Sequence, residues 1–293
     1  MMRLNRLETE RVEAIDFHIH VIPLEMFKPG VRAVFKKIMH KGLDFEKYRA
    51  ITRDPSKLVE MLEGVGVKRA VVVTYTCKEV MGFSEDIVKY VSSYCGEYPD
   101  VLNPFSSPDL RGGDLAQRLE EMVSKYGIKG LKIHPVHQLI YPNAYHAEEG
   151  VHELEKLYAK AEDLNLPVMI HTGTSIFPGA RIKYGNPLCL DDIAVDFPDL
   201  KIIMAHGGRP IWMDTSFYLV RRHRNVFLEI SSIPPKSLLN YFPRLEEISD
   251  KTLFGSDWPG ASIGKNLTDL LKQPLSERAK RQIVRENALK ILK

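Results

Sequence analysis

Four histidines and one aspartate stand where they could hold a metal ion. His18 and His20 lie two apart in AIDFHIHVIP, and side chains alternate along a strand, so both imidazoles should point the same way. His171, His206 and Asp257 each follow a short apolar run further along the chain. Imidazole nitrogen and carboxylate oxygen are ligands that zinc and similar divalent ions accept. Because core packing gives no reason to gather such groups, they predict a metal site.

The chemistry expected of such a site is attack by activated water. A divalent ion lowers the pKa of bound water from 15.7 towards about 7, which makes hydroxide available at neutral pH. Asp257 could orient that water, and His206 could hold or move its proton, since imidazole titrates near neutral pH. His206 could instead be a second metal ligand or a helper behind the ligands, and Asp257 could be a turn residue in SDWP.

The elements that must position these residues alternate between strands and helices. The predicted strands are 14–17, 70–74, 101–105, 130–134, 167–171, 201–206, 226–231 and 252–257. The predicted helices are 55–62, 84–95, 114–126, 149–164, 190–197 and 275–292. Eight consecutive pairs predict an α/β protein with a (β/α)8 barrel, whose chemistry sits at the carboxyl ends of the strands. No glycine-rich phosphate fingerprint follows the first strand, which disfavours a dinucleotide-binding fold.

The only long gap between predicted strands follows the first strand. Residues 21–54 are predicted to be an insertion there, because successive strands elsewhere are much closer in sequence. Phe27, Phe35 and Tyr48 are mixed with basic residues, which suits a partly helical lid over the barrel mouth. No linker or change of composition divides the chain, so residues 1–293 are expected to form one domain.

Composition excludes several classes of partner. The 41 basic and 38 acidic residues give a formal net charge of +3, which implies no surface for nucleic acid. No segment is apolar enough to span a membrane, and the charged start lacks a signal peptide's apolar region, so a cytoplasmic protein is expected. The three cysteines, without a CxxC pair, are expected to be buried thiols. The RRHR run at 221–224 is expected on the solvated face of a helix.

These motifs together resemble the amidohydrolase superfamily, and within it the branch related to aminocarboxymuconate-semialdehyde decarboxylase. The matching segments are AIDFHIHVIP, GLKIHP, VMIHTG, IIMAHGG and LFGSDWP, in this order over nearly the whole chain. The resemblance implies a metal-dependent barrel enzyme in which His18, His20, His171 and Asp257 bind the metal and His206 is the general acid or base. It also implies one divalent ion rather than two. From the types of ligand, zinc is expected first, with manganese or cobalt as alternatives.

Two residues of the fourth predicted strand leave the number of ions open. Lys132 and His134 share parity, so both can face into the barrel. Binuclear members of the superfamily carry a bridging lysine carbamate at this position, so Lys132 could bridge a second metal. The preferred interpretation is a buried cation paired with a carboxylate. His134 precedes Pro135 at the rim and could touch substrate or be a structural histidine.

Substrate recognition is expected from the loops after the fifth and sixth strands. The first loop offers Arg181, Lys183 and Tyr184, and the second offers Arg209 and Trp212. Arginine binds a planar carboxylate through two hydrogen bonds, and aromatic rings cover a flat carbon skeleton. They predict a small carboxylated or cyclic substrate, although each basic residue could equally be a solvated loop charge.

Two reactions are compatible with these residues. The first is hydrolysis of an amide, lactone or ester by metal-activated water, which is preferred because most superfamily chemistry is hydrolytic. The alternative is non-oxidative decarboxylation of an unsaturated or aromatic acid by a carboxy-lyase. A remote alternative is a metal-binding scaffold without catalysis. The expected partner is a small-molecule substrate, with no nucleic acid and no membrane, and the resemblance makes a homodimer an open expectation.

Overall fold

Eight short parallel strands form a closed barrel in residues 13–292, the part of the chain that this computed structural model describes. The strands are β1 (Ala14–Ile19), β2 (Val67–Val73), β3 (Leu102–Ser106), β4 (Gly130–Ile133), β5 (Val168–His171), β6 (Ile202–Ala205), β7 (Val226–Glu229) and β8 (Thr252–Leu253). They pair in chain order. The barrel closes where the Phe17 N–H donates to Phe254 O (2.9 Å) and the Asp257 N–H donates to His18 O (2.8 Å). The predicted (β/α)8 barrel is confirmed.

Helices connect the strands and cover the barrel. They are α1 (Pro29–Ile38), α2 (Phe45–Arg53), α3 (Pro55–Gly64), α4 (Asp86–Gly96), α5 (Leu115–Tyr126), α6 (Pro135–Gln138), α7 (Glu153–Asp163), α8 (Leu190–Asp196), α9 (Met213–Arg222), α10 (Leu238–Tyr241), α11 (Ile263–Leu271), α12 (Glu277–Arg281) and α13 (Asn287–Ile291). A π-helical segment, Gln282–Glu286, joins α12 to α13 within the single helix predicted there. The predicted ranges did not include α6, α9, α10 or α11. None of these helices is long and apolar enough to cross a membrane.

An irregularity in β1 turns His18 towards the barrel mouth, and His20 follows directly after the strand. Phe17 packs in the apolar cluster inside the barrel, and its neighbour His18 lines the cavity above that cluster. Two adjacent residues face the same side only where the alternation of a strand is broken, and the register between β1 and β2 shifts between Asp16 and Ile19. Asp16 holds this segment, because its Oδ1 accepts the N–H groups of His18 (3.1 Å) and Ser256 (2.9 Å).

The segment after β1 packs over the barrel mouth through its aromatic residues. Residues 21–54 contain α1 and α2, and Asp44 caps α2 by accepting the Lys47 N–H at 2.8 Å. Tyr48 is fully buried, donates to Ile22 O (2.8 Å) and packs against Trp258, with ring centroids 5.6 Å apart. Burial of such a ring stabilises the contact by roughly 2–3 kcal/mol, so this segment is anchored to the barrel.

Two expectations about side-chain exposure were wrong in part. His223, in the run predicted to be solvated, is buried, and its Nε2 lies 2.6 Å from Asp191 Oδ1. The reason is that α9 ends at Arg222, so the chain turns inward where the helical face was expected to continue. Cys77 and Cys95 are buried free thiols as expected, but Cys189 is half-buried.

Candidate metal centre and active site

The carboxyl ends of β1, β5, β6 and β8 bring the predicted histidines and aspartate together. His18 lies between His20 and His206, with ring centroids 5.0 and 4.8 Å away, and the His171 ring lies 4.8 Å from that of His206. Asp257 Oδ1 lies 3.2 Å from His20 Nε2. One potential ligand atom from each of His18, His206 and Asp257 lies within 4.8 Å of the other two. The five residues therefore share one small volume at the barrel mouth.

Hydrogen bonds behind three of these rings aim their Nε2 atoms at the centre. His18 Nδ1 lies 2.9 Å from Glu229 Oε2, and His20 Nδ1 donates to the carbonyl oxygen of Val73 at 2.8 Å. His206 Nδ1 lies 2.9 Å from Ser231 Oγ. A histidine held through one ring nitrogen in this way presents the other to a metal ion in a defined direction.

Unpartnered nitrogens in this cluster fit a divalent cation. His18 Nε2 and both ring nitrogens of His171 are buried without a hydrogen-bond partner among the described residues. Buried polar atoms are normally satisfied, so such a concentration of exceptions indicates a missing partner. Burial lowers the pKa of each of these two histidines well below its usual value, which keeps the neutral form that binds metal.

Asp257 supplies the negative charge of the cluster. Burial alone would raise the pKa of its carboxyl group, but the hydrogen bond with His20 and the nearby rings of His206 and His18 hold it well below its usual value. Its Oδ2 also accepts a hydrogen bond from Ser232 Oγ. The residues present therefore fit a metal ion, with one ionised carboxylate among several neutral imidazoles.

Backbone conformation at two of these positions is strained. His206 has φ +66° and Asp257 has φ +60°, in the left-handed region that residues other than glycine seldom adopt. Such strain costs on the order of 1–3 kcal/mol per residue and persists where the surroundings enforce it, commonly at functional sites. Both residues that were predicted to be catalytic are thus held at the barrel rim at an energetic cost.

Glu229, at the end of β7, is a member of the site that the sequence analysis missed. It is fully buried, it bonds His18, and it accepts the N–H (2.6 Å) and hydroxyl (2.8 Å) of Ser231. Space for it depends on Gly255, where an added Cβ would lie 2.1 Å from Glu229 Oε1. Its inward position opposite His18 makes it the group that fixes that ring.

Lys132 is buried inside the barrel, as its parity predicted, but the expected direct pair with a carboxylate is absent. Its Nζ has no hydrogen-bond partner in the described part of the chain. Burial lowers its pKa to about 8, while the charges of Glu229 and Asp257 act in the opposite direction. Lys132 therefore balances these carboxylates at longer range, because the barrel interior holds the three groups apart.

A cavity of about 530 Å³ opens above the cluster. Its outer wall is apolar and comes largely from the segment after β1 and from the loop after β2, including Phe27, Phe35 and Phe83. Arg209, after β6, lines the same cavity, and its Nε is buried without a partner among residues 13–292. The volume is typical of a pocket for a small molecule.

Four of the residues predicted to bind substrate do not reach this cavity. Arg181 and Lys183 are exposed, the Lys183 ammonium lies over the Tyr184 ring at 4.9 Å, and none of the three lines the cavity. Trp212 packs beside α9 and is also outside the lining. The loops after β5 and β6 fold outward at these positions, so of the predicted basic contacts only Arg209 faces the site.

His134 does line the cavity, within a stack of imidazoles. Its ring lies between those of His137 and His171, at centroid distances of 3.6 and 3.9 Å. His137, in α6, was not predicted as a site residue, and it also lines the cavity. The stack joins the wall of the cavity to the predicted metal cluster.

Comparison with known proteins identifies similar chains. A family model described as amidohydrolase matches residues 15–293. No curated protein matches the chain. Among solved structures, an uncharacterised TIM-barrel protein from Bordetella bronchiseptica has 21% identity and a TM-score of 0.76, over 95% of this chain and 98% of that one.

Two further solved structures have a stated activity. A 2,6-dihydroxybenzoate decarboxylase from Rhizobium is 17% identical with a TM-score of 0.65, over 95% of this chain and 97% of the other. A 5-carboxyvanillate decarboxylase from Novosphingobium aromaticivorans, with bound manganese and 3-methoxy-4-hydroxy-5-nitrobenzoic acid, is 14% identical with a TM-score of 0.67, over 95% and 96%. At these identities the likeness establishes the barrel fold.

Proposed function

The chain belongs to the amidohydrolase family, and on that premise we propose that it is a metal-dependent decarboxylase that releases CO₂ from an aromatic carboxylic acid. The observation that carries the proposal is a cluster of potential metal ligands at the base of a cavity with an aromatic outer wall. The same cavity is lined by Arg209, whose Nε has no hydrogen-bond partner among the described residues. An aromatic acid would offer oxygen atoms to the metal, a flat ring to the aromatic wall and a negatively charged carboxylate to the guanidinium.

The solved neighbours favour decarboxylation over the hydrolysis that the sequence analysis preferred. The 2,6-dihydroxybenzoate and 5-carboxyvanillate enzymes both remove a carboxyl group from a substituted benzoate, and each covers nearly the whole of this chain. Hydrolysis of an amide, lactone or ester stays a prediction, and the cavity residues described above do not favour it. A scaffold without catalysis is set aside, because the chain belongs to an enzyme family and the two solved structures with a stated activity are decarboxylases.

His18, His20, His171 and Asp257 are proposed to hold the metal. When bound, a divalent ion stabilises negative charge on substrate oxygen during the reaction. The imidazole-rich donor set suits zinc, while the neighbour with bound manganese makes manganese its direct competitor. We propose one ion, since Lys132 is enclosed in the barrel interior and its Nζ makes no hydrogen bond within the described part of the chain.

The reaction requires a proton at the ring carbon that carries the carboxylate. As the proton bonds to that carbon, the bond to the carboxyl carbon breaks, its electron pair stays on the ring, and CO₂ leaves. His206 Nε2 is the group we expect to deliver the proton, because Ser231 holds the other ring nitrogen and Nε2 faces the cluster. Burial lowers the pKa of His206 well below its usual value, so the resting ring is neutral. During the reaction its Nε2 takes up a proton from solvent and passes this proton to the ring carbon.

Substrate orientation depends on Arg209 and the apolar wall. The guanidinium can bind the carboxylate through two hydrogen bonds, which sets the ring against Phe27 and Phe35. The same wall limits water near the reacting carbon, which favours loss of charged carboxylate as neutral CO₂.

A paired assay tests the proposal. Protein stripped of metal is reloaded with Zn²⁺, Mn²⁺ or Co²⁺ and given benzoates labelled with ¹³C at the carboxyl group, and ¹³CO₂ is measured by mass spectrometry. The same samples are given lactones, esters and amides, and acid release is followed with a pH indicator. We expect ¹³CO₂ only from the loaded protein. Acid release without ¹³CO₂ would contradict decarboxylation and support hydrolysis.

A further inference from the structure

Three residues on one wall of the cavity form a hydrogen-bonded chain that the proposed reaction does not use. Tyr75 Oη lies 2.6 Å from His137 Nδ1, and His137 Nε2 lies 2.7 Å from Ser175 Oγ. Tyr75, after β2, and His137, in α6, are 3% and 2% exposed, and Ser175, in the loop after β5, is half-buried. All three line the cavity.

The buried tyrosine sets the direction of this chain. Tyr75 Oη has no hydrogen-bond partner other than His137 among the described residues. If His137 donated from Nδ1, the phenol proton would be buried without an acceptor, which is energetically costly. The Tyr75 hydroxyl therefore donates to Nδ1, and His137 carries its proton on Nε2.

Both groups are neutral, which leaves one proton on each. Burial raises the pKa of Tyr75 well above its usual value, with smaller contributions from the charges of Cys77 and Asp257. Burial lowers the pKa of His137 to about 3, with a smaller contribution from Lys132. At neutral pH, an uncharged phenol thus faces an uncharged imidazole. Tyr75 keeps its hydroxyl proton, and His137 has a single ring proton, on Nε2.

Ser175 receives hydrogen bonds from two sides and has its own proton to give. Its Oγ accepts from His137 Nε2 and from the N–H of Phe177 at 3.3 Å. A hydroxyl group has two acceptor positions and one donor, so both acceptor positions are taken. No acceptor for its proton is found in residues 13–292, and the oxygen borders the cavity.

We propose that Ser175 is a fixed hydrogen-bond donor to an oxygen atom on the ring of the substrate, and so determines specificity. This inference rests on the proposed function and narrows its substrate to aromatic acids with a hydroxyl, alkoxy or phenolate oxygen facing Ser175. An alkyl group of the same size would leave the Ser175 proton unpaired, and so would be selected against. Tyr75 and His137 act through Ser175 as positioning residues.

Binding of matched ligands tests the role of Ser175. Methoxybenzoates and ethylbenzoates have nearly the same shape, but only the first carry a ring oxygen, so each pair is compared at every ring position by titration calorimetry on the metal-loaded protein. At one position we expect the methoxy compound to bind about 10-fold more tightly, the typical upper value for one hydrogen bond. Ser175→Ala should remove this preference, and Thr174→Ala, which deletes a neighbouring hydroxyl in the same cavity, should keep it.

A second measurement does not depend on activity or ligand. ¹H–¹⁵N NMR of the imidazole groups, assigned with His137→Gln, should show His137 as the Nε2–H tautomer in the wild type and a mixture in Tyr75→Phe. An Nδ1–H tautomer in the wild type, or a preference that survives Ser175→Ala, would overturn the inference. A preference lost in Ser175→Ala without any CO₂ release would support the role of Ser175 while contradicting the proposed function.

Discussion

Replacement of Glu229 by glutamine should weaken metal binding although Glu229 is not among the proposed ligands. In the native site Glu229 Oε1 accepts the Ser231 N–H at 2.6 Å, and Oε2 faces His18 Nδ1 at 2.9 Å. If the glutamine carbonyl keeps the Ser231 contact, its NH₂ group faces Nδ1, and His18 must move its proton to Nε2. A protonated Nε2 cannot bind a metal ion.

The expected loss is about 10–100-fold in metal affinity, or about 1.4–2.7 kcal/mol, as is typical when the partner behind a ligating histidine is removed. We expect the upper part of this range, because the substitution reverses the required donor as well as removing a charge. Competition with a chromogenic chelator measures the affinity. Glu247→Gln, which changes an exposed partner of Arg244, is the matched control. A folded Glu229→Gln protein with wild-type affinity would refute the reasoning.

Three further predictions follow from individual side chains. His206→Ala should retain one metal equivalent and lose CO₂ release, as metal analysis and the ¹³C assay would show; loss of the metal would make His206 a ligand instead. A thiol reagent should modify half-buried Cys189 first. Burial raises the pKa of the Cys95 thiol, which should delay its modification until the protein unfolds. Peptide mass spectrometry would measure both rates of modification, and equal rates for the two cysteines would contradict this prediction. The hydrogen bond from His223 lowers the pKa of Asp191, so Asp191→Asn should reduce the free energy of unfolding by up to about 1 kcal/mol at neutral pH, as urea denaturation would show. The difference between the two proteins should shrink as the pH falls below the usual aspartate pKa of 3.8. A difference that grows in acid would contradict this prediction.

The barrel and the gathering of the histidines could be predicted because both depend on local pattern. Short apolar runs mark the strands, and parallel strands of a barrel end at one rim, so a polar residue that closes each run is placed without knowledge of tertiary packing. His171 and Asp257 are examples, because each could be placed only by its position at the end of an apolar run and not by a motif of its own. The parity of Lys132 likewise placed it inside the barrel, but parity could not predict how far its Nζ lies from a carboxylate.

Residues whose position depends on loop packing could not be predicted. Arg181 and Lys183 belong to the same loop after β5 as the cavity residues Ser175 and Phe177, and only the outward course of that loop takes them away from the cavity. His137 lies in the short helix α6, which is too short to show a helical period. Glu229 could have been found, since it shares the inward parity of Phe227 within β7 and ends its strand as the histidines do.

The most direct test of the account is the metal content of the purified protein and of His171→Ala, measured by inductively coupled plasma mass spectrometry. Both ring nitrogens of His171 are buried without a hydrogen-bond partner in the described structure, and a metal ion would supply the missing partner of one of them. We predict one equivalent of a divalent metal in the wild type and little or none in the folded variant. Full metal occupancy in His171→Ala, or a wild-type protein that cannot be loaded, would contradict the metal centre on which the proposed reaction depends.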